Sequence, residues 1–177
     1  MKKRDDVLLQ AYNNLIYFGR AFLPNDFMKK SASPPFHYEM AEKMITTNPG
    51  ARICNIIPRG HGKSVMAKAA IMHKLCFSDK DAQHFVAWVS EEQGQAIDHL
   101  KYIRSHFENN RMIKYYFGNM DGGTAGKRWT EKDIVTTKGD RVIAKGTSQR
   151  LRGRAEVDVR YTGIVLDDFE SELNTKT

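Results

Sequence analysis

One stretch of the sequence decides the fold, Arg52-Ile53-Cys54-Asn55-Ile56-Ile57-Pro58-Arg59-Gly60-His61-Gly62-Lys63-Ser64, in which an apolar run enters a glycine-rich turn. We expect a strand over residues 52–57 and a helix from Lys63, because residues 65–75 are good helix formers. Gly60 and Gly62 lack a Cβ atom, so backbone N–H groups there can close around an anion at the positive end of that helix. The spacing predicts a phosphate-binding loop; the alternative is an ordinary glycine-rich turn.

Each residue type in such a loop has a chemical task. The Lys63 ammonium suits the β- and γ-phosphates of a nucleotide, and the Ser64 hydroxyl suits Mg²⁺. The full pattern has a further glycine five residues before Gly62, where this chain has Ile57. We predict a nucleotide site formed by Pro58, Arg59, Gly60, His61, Gly62, Lys63 and Ser64.

Length and composition limit the class of protein. The 177 residues suffice for one domain with a real core, or for most of one. A net charge of +7 suits a polyanionic partner, although charge alone is only suggestive. No apolar run is long enough to span a bilayer, and the first residues do not resemble a secretory signal, so an intracellular location is expected.

The segment before the loop is predicted to be helical. Apolar residues at helical spacing predict one amphipathic helix from about Asp5 to Phe22. A second helix is led by Phe36-His37-Tyr38, shortly before the loop. Phe36 and Tyr38 are therefore candidates for stacking on adenine, and packing in the core is an equally good interpretation. We assign residues 1–50 to this preamble and residues 51–177 to a nucleotide-binding core.

The rest of the chain alternates strand and helix patterns. Residues 84–89 form a nearly continuous apolar run, which is typical of a strand buried on both faces. A helix through residues 96–107, a short helix at 112–117, and a β-hairpin over residues 133–144 follow. This order predicts an α/β fold with a mainly parallel central sheet flanked by helices.

A basic loop lies in residues 146–154. Its three arginines are Arg150, Arg152 and Arg154, and a guanidinium grips phosphate with a planar fork. On charge alone, a solvated basic loop is the simpler interpretation. Its position just before the next strand favours contact with a γ-phosphate or a nucleic-acid backbone.

Paired carboxylates end the last predicted strand. An apolar run over residues 161–166 is followed by Asp167 and Asp168, with Glu170 two positions further on. Downstream of a phosphate loop, such a strand end is typical of a nucleotide-hydrolysing site. Asp167 is predicted to hold Mg²⁺, and a neighbouring carboxylate is predicted to orient the attacking water.

These motifs resemble the ATPase region of the large terminase subunit, the DNA-packaging motor of tailed bacteriophages. The resemblance is carried by residues 59–64, by residues 149–154 and by residues 164–168, and it extends from about Phe36 onward. It implies a P-loop NTPase fold of the additional-strand type, with Walker A and Walker B motifs, that binds ATP and Mg²⁺ and hydrolyses ATP.

The resemblance also implies roles for individual residues. Lys63 and Ser64 would bind phosphate and Mg²⁺, and Asp167 would be the metal-associated carboxylate. The family has Glu immediately after that Asp; here Asp168 occupies the position and ranks before Glu170 as the base. Arg59 matches the arginine of the family's loop, and one of the three arginines of the basic loop would act as an arginine finger. The catalytic candidates are Arg59, Lys63, Arg152, Arg154, Asp168 and Glu170.

Partners follow from the same resemblance. It implies double-stranded DNA, a portal protein, the terminase small subunit and a ring of identical copies, in the host cytoplasm and transiently on the procapsid, with no membrane. Family members continue with more strands and a nuclease domain, so we expect a sheet incomplete at its C-terminal end and no nuclease activity. The alternatives are a helicase-like ATPase stimulated by nucleic acid, and a non-catalytic chain that binds ATP or DNA and needs a partner chain.

Overall fold

The computed structural model describes residues 2–27, 32–46, 50–79, 81, 83–149 and 160–169. In these ranges the helices are α1 (Lys2–Asn13), α2 (Leu15–Phe22), α3 (Pro24–Phe27), α4 (Pro35–Thr46), α5 (Lys63–Cys76), α6 (Gln93–Asn109) and α7 (Arg111–Phe117), with a 3₁₀ helix over Gly122–Ala125. The strands are β1 (Phe85–Ser90), β2 (Asp133–Val135), β3 (Arg141–Gly146) and β4 (Gly163–Leu166).

The chain divides into two compact units. The first comprises Met1–Phe77 and Asn110–Gly118, and the second comprises Ser78–Asn109 and Asn119–Thr177. The first unit is helical and contains the glycine-rich loop, whereas the second contains all four strands and α6.

The single opening helix predicted over residues 5–22 is wrong, because Asn14 separates two helices. Asn14 has extended backbone angles, and its side-chain oxygen accepts a hydrogen bond of 3.0 Å from the Tyr17 N–H. This side chain satisfies an amide that a new helix would otherwise leave unpaired, so α2 begins at Leu15. The apolar face of α2 is then fully buried in the core of the unit, through Leu15, Ile16, Phe18 and Phe22.

A buried histidine ties α5 to the end of α1. The Nε2 atom of His73 lies 3.0 Å from the carbonyl oxygens of both Ala11 and Tyr12, so this nitrogen carries the hydrogen and donates it. The ring also lies within 5.3 Å of the ring of Phe18 and 4.9 Å of that of Phe77. Burial lowers the pKa of His73 despite the two carbonyl contacts, which act in the opposite direction.

The strand predicted over residues 52–57 is not formed. Residues 51–58 have no regular secondary structure and pair with none of the four strands. The side chain of Ile56 is 93% exposed and that of Ile53 is 40% exposed. A β-strand is maintained by hydrogen bonds to a neighbouring strand, and an apolar run without such a neighbour in the described chain stays irregular.

The second unit is built on a mixed, mostly parallel sheet. Its strand order is β2-β3-β1-β4, with β1 parallel to both β3 and β4 and β2 antiparallel to β3. All six residues of β1 are buried, as the apolar run predicted. The predicted hairpin is also confirmed, and its turn contains Gly139 with a φ of +100°. The α/β class expected from the sequence is therefore present.

Helix α6 lies against one face of this sheet. Its buried residues are Ala96, Leu100, Ile103 and Phe107, at helical spacing. On the facing side, the ring of Trp88 in β1 stacks on that of His99 at 4.5 Å. Within the described residues, no helix is long and apolar enough to cross a membrane.

Candidate functional site

The glycine-rich loop has the backbone conformation that its sequence predicts. Gly60 and Gly62 have φ angles of +80° and +77°, in the left-handed region that favours glycine. Gly62 is the N-cap of α5, which begins at Lys63 as expected, and no side chain of the described residues caps it. The first amides of α5 are therefore left to water or to a ligand.

The side chain of Lys63 folds back over the loop. Its ammonium donates hydrogen bonds to the carbonyl oxygens of Ile57 and Pro58, the latter at 3.1 Å. These contacts hold a positive charge beside the left-handed glycines at the N-terminus of a 14-residue helix. The loop thus combines a cation with the positive end of a helix dipole, the combination that attracts an anion.

The aromatic residues before the loop lie at the start of α4. The ring of Phe36 lies 6.0 Å from that of His61 in the loop, so this residue does come close to the predicted site. Tyr38 is 42% exposed, and its hydroxyl accepts a hydrogen bond of 3.3 Å from Arg20. Tyr38 is therefore not a core anchor, and the buried positions of α4 are instead Met40 and Ala41.

The loop residues Arg59 and His61 are exposed at their side chains. The carbonyl of Arg59 accepts a hydrogen bond of 2.9 Å from the Nδ1 atom of His61. The carbonyl of His61 in turn accepts one of 2.8 Å from the Nε2 atom of His37 in α4. His37 was not a candidate from the sequence, because a hydrogen bond across 24 residues leaves no local pattern.

In the second unit, Asp167 lies at the carboxyl end of β4. Its N–H donates to the carbonyl of Val89 at 3.0 Å, which extends the pairing of β4 with β1. Its side chain is 11% exposed, and its Oδ2 atom lies 3.5 Å from the Nε2 atom of His99. The stack of His99 on Trp88 fixes the plane of that imidazole. Asp167 is thus held in a sheltered place at the edge where ligands bind in parallel sheets.

Sequence reasoning missed His99, although a signal for it exists. The residue lies between the buried positions Ala96 and Leu100 of α6, on the face turned to the sheet. A polar, ionisable residue on an otherwise apolar helix face is a reason to search for a charged partner. The partner, Asp167, is 68 residues away along the chain.

Asp168 differs from its neighbour in both exposure and backbone conformation. It is exposed, and it has a φ of +45°, the only positive value for a described residue other than glycine. Asp and Asn enter the left-handed region more readily than other side chains, so the sequence tolerates this turn. The two carboxylates are therefore distinct groups, one sheltered beside an imidazole and one open to solvent.

The beginning of the basic loop is anchored at the same edge of the sheet. The side chain of Gln149 donates to the side-chain oxygen of Gln93 at 2.8 Å, and Gln93 donates to the carbonyl of Ala144 at 3.2 Å. The hydroxyl of Thr147 donates to the carbonyl of Glu91 at 3.2 Å. The predicted site residues Arg150, Arg152, Arg154 and Glu170 lie outside the described residues.

Two buried polar atoms lie in β1, a central strand whose carboxyl end lies at this end of the sheet. The hydroxyl of Ser90 and the indole nitrogen of Trp88 have no hydrogen-bond partner within the part of the chain that the structure describes. The carbonyl of Ser90 accepts a hydrogen bond of 3.0 Å from the Thr147 N–H. Ser90 therefore ends β1 with a satisfied backbone and a hydroxyl that retains its hydrogen-bonding capacity.

The candidate side chains carry oxygen donors, which suit Mg²⁺ better than a transition metal. The hydroxyl of Ser64 and the carboxylate of Asp167 each offer hard oxygen atoms, and the two residues belong to different units. Over the described ranges, no three His, Cys, Asp or Glu side chains are grouped closely enough to hold a metal ion. Mg²⁺ at nucleotide sites takes most of its ligands from phosphates and water, so one or two protein oxygens are sufficient.

No protein-family model matches the sequence, and comparisons with curated proteins and with solved structures returned no significant match either.

Proposed function

We propose that this chain binds ATP at the loop of residues 58–64 and hydrolyses it with Mg²⁺, as the ATPase region of a packaging motor of the large-terminase type. The supporting observation is the conformation of that loop. The oxygens of a triphosphate need N–H donors and a cation. The loop offers both, through left-handed Gly60 and Gly62, an uncapped helix start and the folded-back Lys63 ammonium. The terminase assignment itself rests on the sequence resemblance.

Each polar residue has a defined task in this proposal. Lys63 exchanges its two carbonyl partners for phosphate oxygens. By the sequence resemblance, Ser64 and Asp167 would be the protein ligands of Mg²⁺, which when bound neutralises charge that develops on the phosphates. Asp168 accepts a proton from, or orients, the attacking water, and its exposed carboxylate is open to solvent for that task.

Double-stranded DNA is the proposed polymer partner. The net charge of +7 and the arginine-rich loop support contacts to phosphates, which carry no sequence information. Binding through phosphates should weaken as salt rises, with a log–log slope of about −0.9 for each phosphate neutralised. Salt-insensitive binding would argue against this part of the proposal. The portal protein, the small subunit and a ring of copies remain proposals from the resemblance.

A second candidate function is nucleotide binding without turnover by this chain alone. It is favoured by Asp168, which is one methylene shorter than Glu and has a left-handed backbone. A helicase-like ATPase shares the nucleotide chemistry; it differs because it would separate the strands of a duplex, and a packaging motor would translocate an intact one.

The proposal is tested by measuring the rate of ATP hydrolysis with Mg²⁺, with and without duplex DNA. The rate of the wild-type chain is compared with that of Lys63→Ala. Lys74→Ala is the matched control, because Lys74 is an exposed lysine in the last turn of the same helix. Binding of a fluorescent ATP analogue should weaken by about 10- to 100-fold in Lys63→Ala, the loss expected for charged hydrogen bonds, and should be unchanged in Lys74→Ala.

Three results are distinguishable. Turnover that Lys63→Ala removes supports the ATPase, and binding that Lys63→Ala removes without any turnover supports the second candidate. Binding that is equal in all three proteins contradicts both.

A further inference from the structure

Two carbonyl groups of the phosphate loop accept hydrogen bonds from imidazole rings, one from His37 and one from His61. The Nε2 atom of His37 lies 2.8 Å from the carbonyl oxygen of His61, and the Nδ1 atom of His61 lies 2.9 Å from that of Arg59. A carbonyl oxygen only accepts, so each of these ring nitrogens carries a hydrogen and donates it. The orientation of two peptide units of the loop, those that join residues 59 to 60 and 61 to 62, is thereby restrained by side chains.

These two carbonyls belong to the peptide units that end in the two left-handed glycines. The carbonyl of Arg59 shares a peptide plane with the N–H of Gly60, and that of His61 shares one with the N–H of Gly62. The chain has no cis peptide among its described residues, and in a trans peptide the N–H points opposite to the C=O. Each of these hydrogen bonds therefore turns the glycine N–H of the same peptide unit away from the imidazole that binds the carbonyl.

Neighbouring contacts keep His37 in place. The ring of Phe36 packs edge-on against that of His37 at 4.5 Å and lies 6.0 Å from that of His61. A Cβ atom built on Gly62 would lie 3.6 Å from the Nε2 atom of His37, so the loop backbone is in van der Waals reach of the imidazole. The start of α4 thus lies directly against the loop.

We propose that His37 is a positioning residue that orients the phosphate loop, through the His61 carbonyl, so that the N–H groups of Gly60 and Gly62 face the phosphates of a bound nucleotide. The inference rests on the proposed function, since it names the group that prepares the same site. It differs from adenine stacking by Phe36 or Tyr38, because it acts on the phosphate end of the nucleotide and requires a hydrogen-bond donor.

Three variants separate the effect of the hydrogen bond that His37 donates from the effect of the packing of its ring. His37→Phe keeps a ring beside Phe36 and removes the donor, whereas His37→Gln keeps a donor and removes the ring. Glu42→Gln, at an exposed position of the same helix, is the control. We expect the Kd of a fluorescent ATP analogue to rise about fivefold in His37→Phe, the effect of one net hydrogen bond, and to return close to the wild-type value in His37→Gln.

A measurement without nucleotide accompanies the binding data. NMR order parameters of the Gly60 and Gly62 amides should be lower in His37→Phe than in the wild type and in His37→Gln, because the peptide planes lose their restraint. His61→Phe, at an exposed loop position, should lower the order parameter of the Gly60 amide and provides a second variant if His37→Phe does not fold.

Two results overturn the inference: unchanged binding and unchanged order parameters in His37→Phe, or equal impairment of His37→Phe and His37→Gln, which would indicate packing alone. Lys63→Ala tells this failure from that of the proposed function. Nucleotide binding that is lost in Lys63→Ala and unchanged in His37→Phe overturns only the role of His37. If the wild type binds no ATP, the proposed function fails and the comparison of order parameters alone decides whether His37 orients the loop.

Discussion

The backbone N–H of Glu91 donates a hydrogen bond of 2.9 Å to the carbonyl oxygen of Asp168. Asp168 has a φ of +45°, a conformation that costs about 1–2 kcal/mol for a residue with a Cβ atom. Such strain persists only where surrounding contacts hold it, and it is found preferentially at functional sites. The contact therefore links the segment after β1 to the turn that carries the second carboxylate.

The variant Asp168→Asn should separate charge from backbone strain. Asn tolerates the left-handed region as Asp does, so the free energy of unfolding should change by less than about 0.5 kcal/mol. If Asp168 is the base, ATP turnover should fall by about 10²- to 10⁴-fold. Steady-state hydrolysis and urea unfolding measure the two effects. Full turnover in Asp168→Asn, with loss in Glu170→Gln, would assign the base to Glu170 instead.

A glycine at the same position should have the opposite effect on stability. Asp168→Gly relieves the positive φ and is expected to raise the free energy of unfolding by up to about 1 kcal/mol, while turnover is lost with the carboxylate. This pairing of higher stability with lower activity is the mark of strain maintained for function. A lower stability in Asp168→Gly would show that the side chain makes contacts that outweigh the strain.

Two glycines in open space should respond to alanine in opposite ways. Apart from the glycine, its chain neighbours and the adjacent backbone of its own helix, no described atom lies within 4 Å of a Cβ built on either Gly60 or Gly94, so neither substitution causes a clash. Gly60 has a φ of +80°, and Gly60→Ala should cost about 1–2 kcal/mol or displace the loop. Gly94 lies in the first turn of α6 without a positive φ, and Gly94→Ala should stabilise by up to about 1 kcal/mol.

Thermal unfolding and nucleotide binding check this pair. Gly60→Ala should weaken binding of the ATP analogue, and Gly94→Ala should leave it unchanged. Equal binding by both variants would mean that the left-handed turn at Gly60 is not needed for the site.

The contact of His99 with Asp167 should appear as a coupling between the two side chains. Both are largely sheltered, at 25% and 11% exposure, and the approach of Nε2 to Oδ2 is 3.5 Å. A double-mutant cycle with His99→Phe, which keeps a ring against Trp88, and Asp167→Asn should give a coupling free energy of about 0.5–1 kcal/mol. Additive effects on unfolding would show that the two groups are neighbours without an energetic connection.

The parts of the fold that the sequence predicted are those with local causes. The apolar run of β1, the glycine turn before β3 and the helix formers after Lys63 act over a few residues, and all three predictions are confirmed. Burial and turn geometry decide such segments regardless of what lies far along the chain.

The predictions that failed depended on partners. Residues 52–57 have strand composition but no strand neighbour among the described residues. The helix boundary at Asn14 was missed because the spacing of apolar residues carries no information about capping side chains. In the candidate site, the roles of Gly60 and Gly62 could be read from their type, whereas His37 and His99 act through contacts that no local pattern contains.

The buried His73 should make the first unit less stable in acid. Its pKa is lowered from the ordinary value of 6.5, mainly by burial, so the folded chain binds its proton at lower pH than the unfolded chain does. Well above pH 6.5 both states are neutral and His73 has no effect on the pH dependence. Below it the unfolded state takes up the proton first, and stability falls by at most about 1.4 kcal/mol per pH unit until the folded pKa is passed.

Hydrogen exchange of the α5 amides, corrected for the intrinsic pH dependence, measures this effect in the unit that contains His73. His73→Gln retains an N–H donor for the carbonyls of Ala11 and Tyr12 but does not titrate, so its opening free energy should be flatter between pH 7.5 and 5.5. His106→Gln, in the other unit, should keep the wild-type slope. An equal slope in the wild type and His73→Gln would show that other groups cause the acid sensitivity, and that the imidazole serves only as a neutral donor between α5 and α1.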